Sequence, residues 1–277
     1  GHVTGVQTCA LPICSFARLP APLLVLAAIL SFQFGTALAA ELIALVGPVA
    51  TVAIRLDISA LILLAIARPA LRGRRAADWR AVLLLGLTIA AMNLAHFQAI
   101  ARLPLGVVTT TEFLGPLGLA ALASRRPRDL LAVALALAGV VLVSGLLESG
   151  PDGLEPVGFA FALATGLFWA LYILSSRSAG RRWRELDGLA TAMLVAAALV
   201  TPLALADGGG GWSRLAGPEL LVAGASVALL SSVIPYSLEL LALRRIATGV
   251  FGVLMSLEPA IAAVAGFVIL EIGRAHV

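Results

Sequence analysis

The chain of 277 residues is 61% hydrophobic and 12% charged, about half the charged share of an ordinary soluble domain. This composition and the long uncharged runs exclude a chain of soluble domains and predict a polytopic membrane protein. All 19 basic residues are arginine, the net charge is only +4, and the arginines are spread among short loops, which argues against a nucleic-acid-binding surface.

The two ends of the chain resemble translated sequencing adapter rather than protein. One back-translation of residues 272–277 has a reverse complement that encodes residues 7–13 in another frame. We therefore interpret residues 1–14 and 271–277 as artefacts, with Cys14 and Glu271 at the junctions. The alternative is two genuine termini that are complementary by chance. Because Cys9 and Cys14 lie in or beside this segment, the sequence predicts neither a disulfide framework nor a cysteine metal site.

Nine apolar segments are long enough to cross a bilayer, which takes about 20 residues in a helix. They lie roughly at 20–40, 45–67, 81–101, 104–123, 129–147, 156–175, 187–206, 219–241 and 247–270. The first also resembles a signal peptide, with Arg18 before it and ALA at 37–39. We favour a retained helix because eight further spans follow it.

The arginines predict the orientation of these spans. The loops after odd-numbered spans carry only Arg102 and Arg214, together with acidic residues. The loops after even-numbered spans carry many more, namely Arg68, Arg72, Arg74, Arg75, Arg80, Arg125, Arg126, Arg128, Arg177, Arg181, Arg182, Arg184, Arg244 and Arg245. The positive-inside rule therefore predicts a cytoplasmic N-terminus and cytoplasmic loops after the even-numbered spans.

The two halves of the chain contain a repeated segment. Residues 101–116 align without gaps to residues 244–259, at an offset of 143 positions. In this alignment Arg102 matches Arg245 and Pro116 matches Pro259. The first copy enters span 4 and the second enters span 9, so the second copy is inverted in the membrane. Inverted repeats are typical of secondary transporters, which bind substrate near the midplane between the halves.

The repeat predicts two domains of five helices each. Residues 15–148 form the first with helices 1–5, and residues 149–270 form the second with helices 6–9. We expect a tenth helix to be lost where the adapter sequence interrupts the reading frame after Leu270. The predicted fold is therefore an all-α membrane protein with nine transmembrane helices in an inverted repeat.

Four stretches of this sequence resemble the EamA-type drug/metabolite transporters, most strongly the bacterial threonine/homoserine exporter branch. They read PLGVVTTTEFLGPLGLAALASRRPRD, FWALYILSSRSAG, IPYSLELLALRRI and FGVLMSLEPAIAAVAGFVIL. The resemblance covers residues 19–270. It implies ten helices, a place in the bacterial inner membrane, and export of small amino acids or related metabolites by a secondary mechanism.

Ionisable side chains within the predicted spans are candidate site residues, because a charge at membrane depth is costly and usually faces a cavity or a partner. Glu112 lies four residues before Pro116, and Glu258 directly precedes Pro259. A proline loosens a helix and frees a carbonyl, so a carboxyl group beside it can bind a substrate ammonium or carry a coupling proton. The alternative is that each carboxylate holds helices together, for example through Arg55.

Arg55 lies in the middle of span 2 and can clamp a substrate carboxylate or pair with a buried glutamate. Asp57 lies two residues further on and suits a local pair or a shallow site better than catalysis. His96 can take up a proton near neutral pH or act as a hydrogen-bonded core residue. Asn93 and Gln98, in the same span as His96, can bridge helices or line a cavity.

Aromatic residues offer a further binding surface. Trp169 and Tyr172 lie three residues apart on one face of span 6, and Tyr236 lies beside Pro235, a third possible helix break, in span 8. An ammonium group can rest on such rings, although packing is the alternative. We expect Glu239 to lie nearer Arg244 and Arg245 as an ion-pair partner.

We therefore predict a secondary active exporter of small amino acids that works by proton-coupled alternating access. The alternatives are a multidrug or other metabolite exporter of the same superfamily and a non-transporting membrane scaffold or sensor. An enzyme is not expected, nor a metal or cofactor, because the sequence has no HExxH, P-loop, GxSxG or Cys/His cluster. The expected partners are a small-molecule substrate, protons and the lipid bilayer.

Overall fold

The computed structural model of the chain describes residues 19–103, 105–123, 155–184, 186–207 and 218–258, with a few positions between 130 and 138 and residue 261. Both predicted terminal artefacts, Pro259, most of predicted span 5 and nearly all of predicted span 9 after residue 258 lie outside these residues.

All regular structure in the described ranges is helical. The α-helices are α1 (Ala21–Val46), α2 (Pro48–Ala67), α3 (Ala76–Ile100), α4 (Leu105–Ala123), α5 (Pro156–Arg182), α6 (Asp187–Ala206), α7 (Pro218–Ala228), α8 (Ile234–Leu243) and α9 (Thr248–Met255). A π-helical segment, Leu229–Val233, joins α7 to α8 without a break.

Among the residues that the structure describes, five helical stretches are long and apolar enough to cross a membrane, namely Pro48–Ala67, Ala76–Ile100, Pro156–Arg182, Asp187–Ala206 and Leu221–Leu243. The last combines most of α7 with the π-helical segment and α8. Shorter apolar runs lie within α1 and α4. The prediction of an all-α membrane protein is confirmed, while the inverted repeat stays a prediction.

Glycine and proline divide α1 from α2. Gly47 has a φ of 82°, which other residues rarely adopt, and Pro48 follows at the first position of α2, where its missing N–H is not needed. The predicted first span ended near residue 40, but α1 continues to Val46 because the apolar sequence up to this turn contains no helix-breaking residue.

The helices pack through small residues. α3 lies along α5, α2 along α6, α4 along α5, and α8 along α1. The closest approach joins α4 to α5, where a Cβ added to Gly115 would lie 1.8 Å from the carbonyl oxygen of Gly166. Backbones in membrane bundles approach this closely only where side chains are absent.

Several connections between helices meet at one end of the bundle, around Trp183. Trp183, after α5, donates its indole N–H to the carbonyl of Asp78 in α3 at 3.1 Å, and its own carbonyl accepts from Arg244 at 3.0 Å. The Arg74 guanidinium lies 4.2 Å from the centre of the indole ring and 3.5 Å from Asp187. Three connections therefore meet at one tryptophan.

Candidate functional site

A buried cavity lies where α1, α3, α4, α5, α8 and α9 converge. Its volume is about 50 Å³, which is room for several water molecules. The wall combines apolar, aromatic and ionisable side chains, from Ile29, Phe32, Met92, Asn93, His96, Glu112, Thr165, Trp169, Tyr172, Tyr236, Glu239, Met255 and Glu258. Three of these are glutamates, although each is more than nine-tenths buried.

Glu112 pairs with His96. Oε2 of Glu112, in α4, lies 2.8 Å from Nδ1 of His96, in α3. This is a hydrogen bond whose proton either group can carry. The pair therefore joins two helices and also provides a place where a proton can be held inside the bundle.

Glu258 has an amide partner instead. Nε2 of Gln33, in α1, donates to Oε1 of Glu258 at 3.1 Å. A glutamine side chain has both donor and acceptor atoms, so it can pair with a charged carboxylate or with a neutral carboxylic acid. This partner thus accommodates both protonation states of Glu258.

Glu239 accepts a hydrogen bond from a tyrosine. The hydroxyl of Tyr172, in α5, donates to Oε2 of Glu239, in α8, at 2.8 Å. This differs from the expected ion pair with Arg244 and Arg245. Glu239 lies on the cavity side of α8, three residues after Tyr236, while the carbonyl of Trp183 accepts from Arg244.

Arg55 lies behind the cavity wall, where it is 2% exposed. Its NH2 group donates to Oδ1 of Asn93, whose own Nδ2 donates to the Tyr236 hydroxyl at 3.1 Å. The guanidinium also lies 5.4 Å from the centre of the Phe97 ring. Arg55 therefore acts on the cavity through Asn93 and Tyr236 rather than lining it.

Aromatic rings complete the wall. Tyr172 and Tyr236 lie with ring centres 5.3 Å apart, and Trp169 contacts Phe113 edge-on at 4.9 Å. A tyrosine body is apolar and its hydroxyl is polar, so these rings can surround a ligand and still bond to its charged groups.

Comparison with known proteins identifies the family of this polar, cavity-containing bundle. Residues 156–272 match the EamA-like transporter family. The threonine/homoserine exporter RhtA of Salmonella typhimurium strain SL1344 is 40% identical over 254 residues, which is 90% of this chain and 82% of that protein. RhtA of Escherichia coli K12 is 40% identical over 251 residues, 89% of this chain and 82% of that protein.

The chain belongs to the EamA-like transporter family. A crystal structure of 22% sequence identity supports the fold alone, with a TM-score of 0.71 over 89% of this chain and 88% of that chain.

The structure brings most of the predicted site residues of this transporter together. The residues on the cavity wall are Glu112, Glu258, Tyr172, Trp169, His96, Asn93 and Tyr236. Gln98 lies elsewhere, in a separate groove of about 710 Å³ between the ends of α2, α3, α5 and α6, where its side chain accepts a hydrogen bond from Arg102. Asp57 accepts a hydrogen bond from Thr201, in α6, at 2.8 Å.

The predicted helix breaks differ in their effect. Pro116 lies inside a continuous α4, and Pro235 follows the π-helical segment at the start of α8. The π-helical region contacts neighbouring helices: Ser31 donates to the carbonyl of Leu230 at 2.7 Å. The Ser59 hydroxyl is shared between the carbonyl of Arg55 in its own helix, at 2.6 Å, and that of Ala228, at 3.3 Å. The third predicted break, Pro259, is outside the described residues.

Sequence reasoning missed Glu239 and Thr165 as cavity residues and Gln33 as the hydrogen-bond partner of Glu258. Glu239 had a usable signal, since it lies one helical turn from Tyr236 and must therefore share its face. Thr165 lies one helical turn before Trp169, so it shares the face of α5 on which Trp169 lies. Gln33 is a polar residue within an apolar span, which is itself a sign of an internal partner.

Proposed function

We propose that this transporter exports small amino acids of the threonine/homoserine kind by proton-coupled alternating access. The observation that supports this proposal most strongly is that Glu112, Glu239 and Glu258 all line one small cavity inside a bundle of membrane-crossing helices. Buried carboxylates need a proton, a hydrogen bond or a cation to offset lost hydration. A substrate ammonium and a proton can supply that compensation in turn.

Glu112 and Glu258 are the proposed proton carriers. The His96 partner of Glu112 and the Gln33 partner of Glu258 each tolerate a change in protonation, as a carrier requires. An inward proton would neutralise a carboxyl group and release the substrate, and loss of that proton would permit the next substrate to bind. The names of the relatives support the substrate class.

The proposed architecture is an inverted repeat of residues 15–148 and 149–270. α4 begins at Leu105 and α9 at Thr248, which are aligned positions of the two repeated segments. The aligned arginines support it further: Arg102 lies 3.8 Å from Glu155, just before α5, and Arg245 donates to the Leu19 carbonyl, just before α1, at 2.9 Å. Each arginine thus contacts the start of the first helix of the other half.

A multidrug exporter is the second candidate, favoured by the aromatic rings beside the carboxylates. Trp169, Tyr172 and Tyr236 can hold an organic cation that has no carboxylate. Excess tetraphenylphosphonium should inhibit threonine transport strongly if this candidate is correct and weakly if the cavity is adapted to amino acids.

The test of coupling uses purified transporter in liposomes and radiolabelled threonine. An imposed pH gradient should drive threonine transport by the unmodified chain. Glu112→Gln should lower this transport by about tenfold or more, because the pair with His96 can no longer carry the proton. Threonine–threonine exchange without a gradient requires no net proton movement, so it should fall less than gradient-driven transport.

Asp57→Asn is the matched control, because it also neutralises a carboxylate within a span but lies outside the cavity. It should retain gradient-driven transport. If Glu112→Gln keeps the full pH-driven rate, Glu112 is not the carrier. If the unmodified chain moves no amino acid under any gradient, the proposed function is wrong.

A further inference from the structure

Opposite charges are buried near the cavity without neutralising each other. No carboxylate of the described residues lies within 4.0 Å of the Arg55 guanidinium, and its Nε has no hydrogen-bond acceptor. Glu239, in turn, has a neutral partner, Tyr172. An unpaired buried charge is costly, so each group would gain from a ligand atom of opposite sign.

The Arg55 network exposes a donor to the cavity through Tyr236. The Tyr236 hydroxyl accepts from Nδ2 of Asn93 and interacts with Arg55, so its oxygen is already used as an acceptor. A tyrosine hydroxyl has one hydrogen of its own, which remains to be donated. Asn93 and Tyr236 both line the cavity, so this donor and the positive charge behind it face a ligand there.

The Glu239 network presents an acceptor instead. The hydroxyl of Tyr172 donates to one oxygen of Glu239, which fixes the orientation of the carboxylate and leaves the other oxygen for a ligand. The two networks meet at the rings of Tyr172 and Tyr236, whose centres are 5.3 Å apart. An α-amino acid head group carries a carboxylate and an ammonium on one carbon, so its two charges match the donor of one network and the acceptor of the other.

We propose that the cavity binds its amino acid with a fixed polarity, which rests on the proposed function. The α-carboxylate accepts from the Tyr236 hydroxyl, with Arg55 as the positioning residue behind it, and the α-ammonium donates to Glu239. The substrate side chain then points towards Thr165, Trp169 and Met255. This assignment separates head-group recognition by Glu239 from proton coupling by Glu112 and Glu258.

The test compares three probes on the full chain in lipid nanodiscs by isothermal titration calorimetry. L-threonine carries both charges, L-threoninol lacks the carboxylate, and the hydroxy acid analogue, 2,3-dihydroxybutanoate, lacks the ammonium. Glu239→Gln should weaken threonine and threoninol binding by about tenfold or more, as expected for the loss of a charged hydrogen bond, and leave the hydroxy acid within about twofold.

Tyr236→Phe should give the opposite pattern. The hydroxy acid and threonine should lose about tenfold in affinity, while threoninol stays within about twofold. Arg55→Lys keeps the charge but loses the planar guanidinium, so it should also weaken only the two carboxylate probes. The affinity ratio of threoninol to the hydroxy acid is measured within each variant, so a partly misfolded sample does not alter it.

Asp57→Asn is again the control and should leave that ratio unchanged. The crossed pattern supports the fixed polarity. An equal loss of affinity for both analogues in each variant, a reversed pattern or an unchanged ratio overturns it while threonine transport by the unmodified chain still stands. Failure of the unmodified chain to bind or transport threonine overturns the proposed function, and the polarity with it.

Discussion

Gly166 determines where Glu112 lies. A Cβ at Gly166 would lie 2.7 Å from the carbonyl oxygen of Glu112 and 3.2 Å from its Cα, too close for any side chain. Pro116, four residues after Glu112, has no N–H to donate back to that carbonyl. The Glu112 backbone therefore depends on the bare surface of α5 rather than on a complete helical ladder.

Gly166→Ala should therefore lower both stability and transport. The added methyl group should cost about 1–3 kcal/mol of folding free energy by overpacking and should shift Glu112 away from His96. Thermal unfolding in detergent and gradient-driven threonine transport measure the two effects. Gly118→Ala is the control, because a Cβ there has nothing within 4 Å, and it should be neutral or slightly stabilising. Equal behaviour of the two variants would contradict this role for Gly166.

At this scale the sequence identified the acids but not all of their partners. Glu112 and Glu258 could be selected because a carboxylate in an apolar span is costly wherever it lies. Their partners depend on helix rotation and rotamers, which no local pattern encodes. The prediction for Glu239 was wrong for that reason. Its short distance along the chain from Arg244 suggested an ion pair, whereas it lies on the face of α8 that contacts Tyr172.

Among the helices, the π-helical segment differs most from the structure that its sequence predicts. The stretch LLSSVIP is apolar and uninterrupted until Pro235, so periodicity alone predicts a regular helix. A π-helical turn shifts the backbone hydrogen bonds by one residue, and such turns are frequent at functional sites. Here Ser31 and Ser59, from two other helices, bond to carbonyls at this turn, so tertiary contacts stabilise it.

Replacement of Ser31 and Ser59 by alanine should destabilise this region. For each of the two carbonyls, loss of the serine donor should cost at most about 3 kcal/mol of folding free energy. Thermal unfolding of the double variant should show a lower midpoint. Ser256→Ala is the comparison, because Ser256 bonds only to the carbonyl of Val253 in its own chain segment, and its effect should be much smaller. Identical midpoints for the two variants would show that the serines do not support the turn.

For the whole molecule, the sequence predicted that the arginine-rich connections share one side of the membrane. The connections after α2, α5 and α8, all predicted to be cytoplasmic, meet around Trp183 at one end of the bundle. Helix number and sidedness follow from hydropathy and charge, which are summed over many residues. The cavity could not be inferred in this way, because it depends on how six helices pack.

The orientation itself can be tested by cysteine labelling in intact bacteria. In a chain whose Cys9 and Cys14 are replaced by serine, Arg72→Cys should react with a membrane-impermeant maleimide only after the cells are permeabilised. Asp207→Cys, at the other end of the bundle after α6, should react in intact cells. The opposite labelling pattern would reverse the proposed orientation, and equal labelling of both would argue against one fixed topology.

Trp183 has a consequence for how water reaches the cavity from the arginine-rich end. Trp183 contacts two other connections at once: that between α2 and α3, through Arg74 and through Asp78 at the start of α3, and that after α8, through Arg244. Moving either connection aside breaks a contact with the same residue and weakens the hold on the other. Separation of these helix ends should therefore be cooperative, with few partly open intermediates. For protons and solute on that side, the passage to the cavity is then either closed or fully open.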